Sequence, residues 1–488
     1  MNNIFDKLKN YSDSDYYAFH MPGHKRNLDL MDGTSPYRID ITEIDGFDDL
    51  HHAEGILRDA QERAARVYHA DETHFLVNGS TVGILSAILG TTEKGDSILV
   101  ARNCHKSVYH AIYLNELDPV YLYPKFDTEQ GLSTEIDAAD VQKALEEHPK
   151  IRAVMIVSPT YDGVVSDIEK IAEIVHAKGC PLIVDEAHGA HFGFDPYFPK
   201  SANIYGADLV INSLHKTLPA LTQTALLHVN GDMVKRRKVK QYLDMLQTSS
   251  PSYILMASID ACIGMLEETL ETHSDARSDY KYKNIFSEYA NRIEALRKDL
   301  KRLKYLKIIQ TDNTDRYDRS KFVISVKHAP MSSHELYEIL LHRYHLQMEM
   351  LAGTYVLAMT TVGDTQEGLD RLRDALLEID KEIDTKQGRP AAIETDLPLS
   401  GRQPALEKVW TIAEAVNCTD KIQKRSFEDS IGCISVEYAY LYPPGSPLIV
   451  PGERITKEAV EILHWYQEHD FSIEGLQSED GIEVWIDG

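Results

Sequence analysis

Two short apolar runs in the sequence end beside residues that could act together in one reaction. The first run, Leu182–Asp185, ends in a carboxylate, and the second, Leu209–Asn212, leads into the amine of Lys216. Short β-branched apolar runs of this kind are typical of buried parallel strands. The carboxyl ends of parallel strands meet at one edge of a sheet, so we expect Asp185 and Lys216 to share a cleft.

An acid and an amine in one cleft have a specific use in pyridoxal-phosphate chemistry. A lysine amine can hold the cofactor's aldehyde as a Schiff base, while a carboxylate keeps the pyridine nitrogen protonated so that the ring accepts electrons from a breaking bond. Lys216 and Asp185 fit these two roles. Taken singly, each is more simply a solvated lysine or a turn-capping aspartate, so the hypothesis depends on the pair.

Two further strand ends add polar groups to the same edge. The run at residues 74–78 is followed by Gly79, Ser80 and Thr81 at the start of a helix-like stretch, where hydroxyls and backbone N–H groups can bind a phosphate. A plain helix N-cap explains these residues equally well. After the run Ser97–Ala101 comes His105, which could lie flat on an aromatic cofactor ring, although a lone His is more often structural.

Strands and helices alternate along the first half of the chain. Besides the runs already described, strand-like segments occur at 120–123, 153–158 and Ala225–Val229, and helix-like segments at 51–70, 138–147 and 168–177. This alternation predicts an α/β domain with a mostly parallel, seven-stranded sheet covered on both faces. The last two strands are joined so tightly that we expect them to be antiparallel neighbours.

The length of 488 residues favours two to four domains. We predict an N-terminal arm at 1–50, a large domain at 51–310 that includes a long connecting helix at about 254–306, a smaller α/β unit at 311–387, and a C-terminal domain at 388–488. The segment 388–391 is interpreted as a linker.

Composition restricts the classes of partner. The chain has 43% hydrophobic and 26% charged residues, as ordinary soluble globular proteins do, and a formal net charge of -26. This acidity argues against a nucleic-acid partner and favours small cations. The basic run at 235–240 lacks interleaved aromatic residues and is interpreted as a solvated helix face.

The cysteine pattern and the lengths of the apolar segments indicate where in the cell the protein is located. Five cysteines are widely spaced and form no Cys-x-x-Cys pair, so neither a disulfide framework nor a thiolate zinc site is expected. We find no leader-like N-terminus and no segment of membrane-spanning length. The sequence therefore predicts a cytoplasmic protein with no membrane partner.

Several separated motifs occur along the chain. They are His-Met-Pro-Gly-His-Lys at 20–25, Asn-Gly-Ser-Thr at 78–81, Arg-Asn-Cys-His-Lys-Ser at 102–107, Asp-Glu-Ala-His-Gly-Ala-His at 185–191, Ser-Leu-His-Lys at 213–216, and Tyr-Pro-Pro-Gly-Ser-Pro at 442–447 followed by Pro-Gly-Glu at 451–453. Together these motifs resemble one family, the ornithine/lysine/arginine decarboxylases, which are pyridoxal-phosphate enzymes of the aspartate-aminotransferase fold (fold type I). The resemblance spans nearly the whole chain.

The resemblance implies a role for each matching residue. Lys216 is similar to the Schiff-base lysine, Asp185 to the partner of the pyridine nitrogen, His105 to the residue stacked on the ring, and His188 to a residue beside the ring. The implied cofactor-anchoring residues are Ser80, Thr81, Ser213 and His215, the first three through the phosphate.

The resemblance also implies an assembly. Ser249 matches a hydroxyl that reaches the phosphate bound by the neighbouring subunit, so the site would lie at a subunit interface. Large enteric members of the family carry a wing domain ahead of the segment that starts here at His20. This chain resembles the short form, for which we expect a homodimer or a dimer-based tetramer rather than a wing-mediated decamer.

The implied reaction is decarboxylation of a basic amino acid. The products would be agmatine from arginine, cadaverine from lysine or putrescine from ornithine, and arginine is slightly favoured because the short form resembles arginine-using members. A cationic side chain needs a carboxylate in the pocket, and Glu349, Glu437 or Glu453 could supply it. Nothing in the sequence selects one of them.

Three alternatives remain open. Another reaction on the same scaffold, such as transamination or elimination, would use Lys216 and Asp185 in the same way. The cluster of Asp185, Glu186, His188 and His191 could instead bind a metal in a hydrolase. A binding-only relative is the third possibility, and the intact Lys216 argues against it.

Overall fold

A computed structural model describes residues 13–20, 23–25, 27, 39–271, 281–309, 314–385, 403–442 and 445–486. A seven-stranded sheet forms its centre. Every pairing in this sheet is parallel except the two that Ala225–Val229 makes with its neighbours. In order across the sheet the strands are Glu72–Leu76, Ala225–Val229, Leu209–Asn212, Leu182–Asp185, Ile151–Val157, Ser97–Ala101 and Asp118–Leu122.

The central strands are apolar because helices cover the sheet. All residues of Leu182–Asp185 and of Leu209–Asn212 are buried, which explains why these strands are continuous apolar runs rather than alternating ones. The helices of this domain are Ile56–Val67, Gly79–Thr91, Lys106–Leu114, Ala138–Glu147, Ile168–Ala177, Leu214–Thr217 and Arg236–Leu246. The predicted α/β fold with a mostly parallel sheet is confirmed.

The prediction of a single long helix at 254–306 is wrong. The structure has two helices there, Tyr253–Glu271 and Ile285–Leu300. The Tyr282 N–H donates to the Glu268 carboxylate at 2.9 Å, although fourteen residues of continuous helix would separate the two by about 21 Å. The two helices are therefore separate elements, which the repeating charge pattern of the sequence conceals.

A second, smaller sheet lies beside the large domain. Its four strands are antiparallel and, in order across the sheet, are Lys307–Ile308, Lys321–Ser325, Tyr355–Met359 and Met350–Ala352. The helices Ser333–His342 and Gln366–Thr385 belong to the same unit. The strand Tyr17–Phe19 pairs in parallel with Leu346–Met348, so part of the predicted N-terminal arm packs on this unit.

The C-terminal part contains two three-stranded sheets and the helices Ile412–Val416 and Lys457–Glu468. The sheets are formed by Ile422–Arg425, Ile482–Trp485 and Ile434–Ser435, and by Ser446–Ile449, Ala439–Tyr442 and Ser472–Glu474. A fully buried ion pair of 2.7 Å joins Arg102 to Glu453 and ties this part to the large domain. Removing one partner of such a pair leaves an unpaired buried charge.

Parts of the predicted organisation concern residues outside the description. The linker at 388–391, residues 21–22 of the first motif and residues 443–444 of the last motif lie there. The division of the chain at residues 50, 310 and 387 stays a prediction. Among the helices of the described residues, none is both long and apolar enough to cross a membrane.

Candidate active site

A cavity of about 510 Å³ lies at the carboxyl ends of the central strands. The large domain, the small sheet and the C-terminal part all contribute to its walls, and its size suits a small-molecule ligand. Eight of the nine predicted site residues line it. They are Ser80, Thr81, His105, Asp185, His188, Ser213, His215 and Lys216. Ser249, the ninth, is exposed and does not line this chain's cavity.

Lys216 lies in the one-turn helix Leu214–Thr217, which follows the strand Leu209–Asn212. Its Nζ is 3.0 Å from His188 Nε2. Burial lowers the pKa of Lys216, and the negative charges of Asp185 and Glu349 oppose this shift. The amine therefore loses its proton more easily than a lysine in water, which is what a nucleophilic amine requires.

The segment around Gly23 packs against the residues that flank Lys216. The Gly23 N–H donates to the His215 carbonyl at 2.6 Å, and a Cβ at position 23 would lie 2.7 Å from the Leu218 nitrogen. Only glycine fits this close approach. Lys25 continues the segment and donates from Nζ to the carbonyls of His20 and Met359, both at 2.8 Å.

Asp185 is the last residue of its strand and is 3% exposed. One carboxylate oxygen accepts the Ala187 N–H at 3.1 Å. Burial raises the pKa of Asp185, while the positive charge of Lys216 and the Ala187 N–H lower it. A buried carboxylate facing a cavity is suited to sharing a proton with a ligand nitrogen.

Two histidines line the cavity near Lys216. His105 caps the helix Lys106–Leu114, and its Nδ1 accepts the Ser107 N–H at 3.2 Å. Burial and the neighbouring Lys216 lower the pKa of His105 to about 4. Burial also lowers the pKa of His188 well below its ordinary value, so both rings are neutral at pH 7.

Hydroxyls and a helix N-terminus meet at one end of the cavity. The hydroxyls of Ser80 and Ser213 are hydrogen bonded to each other, and no side chain caps the helix Gly79–Thr91. Gly79 has φ +73°, a backbone conformation that favours glycine. Uncapped N–H groups beside two hydroxyls form a phosphate-binding arrangement. Together with Lys216 and Asp185 in the same cavity, these groups fit pyridoxal phosphate.

The geometry does not support the alternative of a metal site at Asp185, Glu186, His188 and His191. The Glu186 carboxylate accepts from the Ser201 hydroxyl at 2.9 Å, and His191 Nε2 is 3.1 Å from the Asp318 carboxylate. These side chains therefore do not converge with Asp185 on one point. Within the described part of the chain, no group of three or more His, Cys, Asp or Glu side chains could hold a metal ion.

The proposed carboxylates for a substrate cation lie in different places. Glu453 pairs with Arg102, and Glu437 accepts the N–H groups of Gln477 and Glu483 at 2.8 and 2.7 Å, so both are used inside the C-terminal part. Neither lines the cavity. Glu349 accepts from the hydroxyl of Tyr161, a residue of the cavity wall, and remains close to Lys216.

The sequence analysis missed Asp162, a carboxylate that lines the cavity. It is 6% exposed and accepts from the hydroxyl of Tyr355, another residue of the wall. Burial raises the pKa of Asp162 to about 6. Its position soon after the strand Ile151–Val157 was a usable signal, because Asp185 occupies the end of the neighbouring parallel strand.

Comparisons with known proteins agree with this geometry. Residues 2–339 match the sequence model of the Orn/Lys/Arg decarboxylase major domain, and residues 403–484 match that of the Orn/Lys/Arg decarboxylase C-terminal domain. The chain is 36% identical to the uncharacterized protein YaaO of Bacillus subtilis over 468 residues, which cover 94% of this chain and 93% of that protein. It is 31% identical to an arginine decarboxylase of the same organism over 469 residues, covering 94% and 92% respectively.

A solved structure gives the same fold. The lysine decarboxylase of Francisella novicida superposes with a TM-score of 0.77 at 19% sequence identity, covering 98% of this chain and 80% of that one. The fold is that of the pyridoxal-phosphate enzymes of fold type I.

Proposed function

Because the chain belongs to the Orn/Lys/Arg decarboxylase family, we propose that it converts arginine into agmatine and carbon dioxide. Pyridoxal phosphate is the cofactor, and a basic amino acid is the substrate class. The observation that carries the proposal is the cavity in which the Lys216 amine and the Asp185 carboxylate meet. Arginine is favoured over lysine because the relative of 31% identity, matched over 94% of this chain, is named an arginine decarboxylase.

The predicted site residues would hold the cofactor as follows. Lys216 would bind it covalently, Asp185 would face its ring nitrogen, and His105 and His188 would lie beside its ring. The remaining anchors would be Ser80, Thr81, Ser213 and His215. When bound, the cofactor supplies an aldehyde for amines and a ring that accepts the electron pair of the bond to the leaving carboxylate.

The chain's own groups prepare the cavity for this chemistry. The lowered pKa of Lys216 makes its amine easier to deprotonate, and the buried carboxylate of Asp185 would hold a proton at the ligand nitrogen that faces it. Apolar side chains of the C-terminal part, Leu441, Leu448 and Ile462, form part of the wall and exclude water. Exclusion of water strengthens the electrostatic effect of Asp185.

Asp162 is our candidate for recognising the guanidinium of the substrate. Among the described residues that line the cavity, Asp162 and Asp185 are the two that carry a carboxylate. A carboxylate matches the planar fork of a guanidinium, and the Tyr355 hydroxyl fixes its orientation. The net charge of -26 further favours the approach of a cationic amino acid.

Replacing Asp162 by Asn is expected to raise the KM for arginine about 10- to 100-fold with a smaller change in kcat, because a charge-assisted hydrogen bond to the substrate is lost. In the wild type the KM should also rise as the pH falls through about 6, since only the ionised carboxylate attracts the cation. The Asp162→Asn variant should lack this rise. Glu349→Gln is the comparison variant, and a larger KM effect there would assign recognition to Glu349 instead.

The substrate is tested with purified protein reconstituted with pyridoxal phosphate. The protein should be yellow, and arginine should give agmatine and carbon dioxide with a kcat/KM at least about tenfold above those for lysine and ornithine. Amines are identified by chromatography and carbon dioxide by trapping. Release of carbon dioxide from lysine but not arginine would contradict the choice of substrate. A colourless protein that the cofactor cannot reconstitute would overturn the role of Lys216.

The active unit is proposed to be a homodimer in which Ser249 reaches the phosphate site of the neighbouring subunit. The proposal is supported by the position of Ser249, which is exposed and does not line the cavity of its own chain. The molar mass in solution, measured by light scattering, tests the dimer. A monomer with full activity would exclude a role for Ser249.

Two further features remain proposals. The four-part division at residues 50, 310 and 387 is supported by the separate sheets. A cytoplasmic location is supported by the five cysteines, all of which are free thiols. Limited proteolysis tests the division into four parts, and cell fractionation tests the cytoplasmic location.

A further inference from the structure

Lys321 is a fully buried lysine that no motif of the sequence singles out. It begins the strand Lys321–Ser325 of the small sheet and has 0% exposure. Its N–H donates to the Asp318 carbonyl at 3.1 Å, and its carbonyl accepts from Arg297 at 2.6 Å. A Cβ at Gly163 would lie 2.9 Å from its Cγ, so the aliphatic stem is packed against the large domain. These contacts hold the side chain in one place.

The amine of Lys321 points at the active-site histidine. Its Nζ is 3.2 Å from His188 Nδ1, while Lys216 Nζ is 3.0 Å from His188 Nε2. The imidazole is therefore flanked by one amine on each ring nitrogen. Among the described residues, no carboxylate forms an ion pair with the Lys321 amine, and His188 is its side-chain hydrogen-bond partner.

The geometry restricts where the protons of this group reside. A neutral imidazole has one N–H and one accepting nitrogen, so it can donate to one amine and must accept from the other. A protonated lysine has three N–H donors and no acceptor, so Lys321 can only donate, and His188 Nδ1 accepts from it. The ring proton then lies on His188 Nε2, which faces the Lys216 amine.

The geometry points to Lys321 as a positioning residue that holds His188 in the tautomer with its proton on Nε2, facing the Lys216 amine. This inference rests on the proposed placement of the cofactor beside His188 and does not depend on which basic amino acid is the substrate. Its consequence is that His188 presents an N–H, rather than a lone pair, to whatever is bound at Lys216. A partner at the second ring nitrogen fixes histidine tautomers in the same way in many active sites.

The surrounding charges allow Lys321 to donate. Burial lowers the pKa of Lys321 to about 8, the negative charges of Asp318 and Glu349 raise it, and the positive charges of Lys216 and Lys25 lower it. The amine is therefore mostly protonated at pH 7. The positive charge of Lys321 also lowers the pKa of Asp162. The effect of losing this charge therefore has to be separated from the effect of losing the hydrogen bond to His188.

Lys25 is the matched control for this purpose. It is a second buried lysine whose charge acts on Lys321, but its amine donates to the carbonyls of His20 and Met359 and not to His188. Lys25→Met and Lys321→Met therefore each remove one buried positive charge near the site. Of the two, Lys321→Met alone removes the donor to His188 Nδ1.

The test reads the tautomer directly from the side-chain nitrogen shifts of His188 in the full-length holoenzyme, uniformly labelled with 15N at histidine and assigned by comparison with His188→Gln. In the wild type we expect a protonated Nε2 and an unprotonated Nδ1. In Lys321→Met we expect the Nδ1-protonated form to appear, with kcat about 10- to 100-fold lower and KM little changed. Lys321→Arg, which keeps a donor, should recover the wild-type tautomer.

Each outcome decides the inference. A wild-type His188 protonated on Nδ1 would overturn it without any variant, so the test does not require that Lys321→Met folds. It is also overturned if Lys25→Met changes the tautomer and kcat as much as Lys321→Met does. Because the tautomer is read without substrate, failure of this inference is distinct from failure of the arginine assignment, which product analysis of the wild type tests.

Discussion

Lys216→Ala is expected to abolish decarboxylation, lowering kcat by at least about 1,000-fold, in a protein that keeps its fold. Lys216 is the one amine among the described residues that line the cavity, so no other lining side chain can replace it. The wild-type amine is prepared for reaction because burial lowers its pKa. The variant retains the hydroxyls of Ser80 and Ser213, so it can still bind the cofactor without a covalent bond.

Two measurements separate loss of chemistry from loss of structure. Borohydride reduction followed by peptide mass analysis should attach the cofactor to the peptide containing Lys216 in the wild type and leave the variant unmodified. Lys106→Ala, which removes an exposed lysine near the same cavity, should keep both the attachment and the turnover. Turnover by Lys216→Ala at a wild-type rate would contradict the proposed role of Lys216 in the reaction.

The parts of the fold that could be predicted are those in which burial requires a run of apolar residues in the sequence. The strands Leu182–Asp185 and Leu209–Asn212 are buried on both faces, so their apolar runs begin and end where the strands do. Parallel pairing then brings the residues that follow them to one edge. This is why Asp185 and Lys216 could be paired from sequence although 30 residues separate them.

The contacts that escaped prediction join distant segments through single side chains. Lys321 contacts His188 across 133 residues, and Tyr355 contacts Asp162 across 193 residues. No periodicity connects such residues, because each pair forms only when separate sheets pack around the cavity. Glu453 shows the same limit: it was one of three glutamates that could serve as a substrate ligand, whereas packing buries it against Arg102.

The second large effect is expected at Asp185. Asp185→Asn conserves the side-chain volume but removes the negative charge, so kcat should fall about 100- to 1,000-fold while the cofactor remains bound through Lys216. The physical reason is that an amide cannot keep the facing ligand nitrogen protonated in a site where burial already disfavours charge. The measurements are kcat and the absorbance of bound cofactor per chain.

Glu186 provides a matched control for this prediction, because it is the next residue and is equally buried. Its carboxyl group points away from the cavity and accepts from the Ser201 hydroxyl, and burial raises the pKa of Glu186 to about 8. The group is therefore mostly protonated at pH 7, and Glu186→Gln reproduces that neutral form. This variant should keep kcat within about threefold of the wild type. Equal losses in the two variants would indicate that buried polarity, rather than the charge facing the cofactor, determines the rate, and would contradict the role of Asp185.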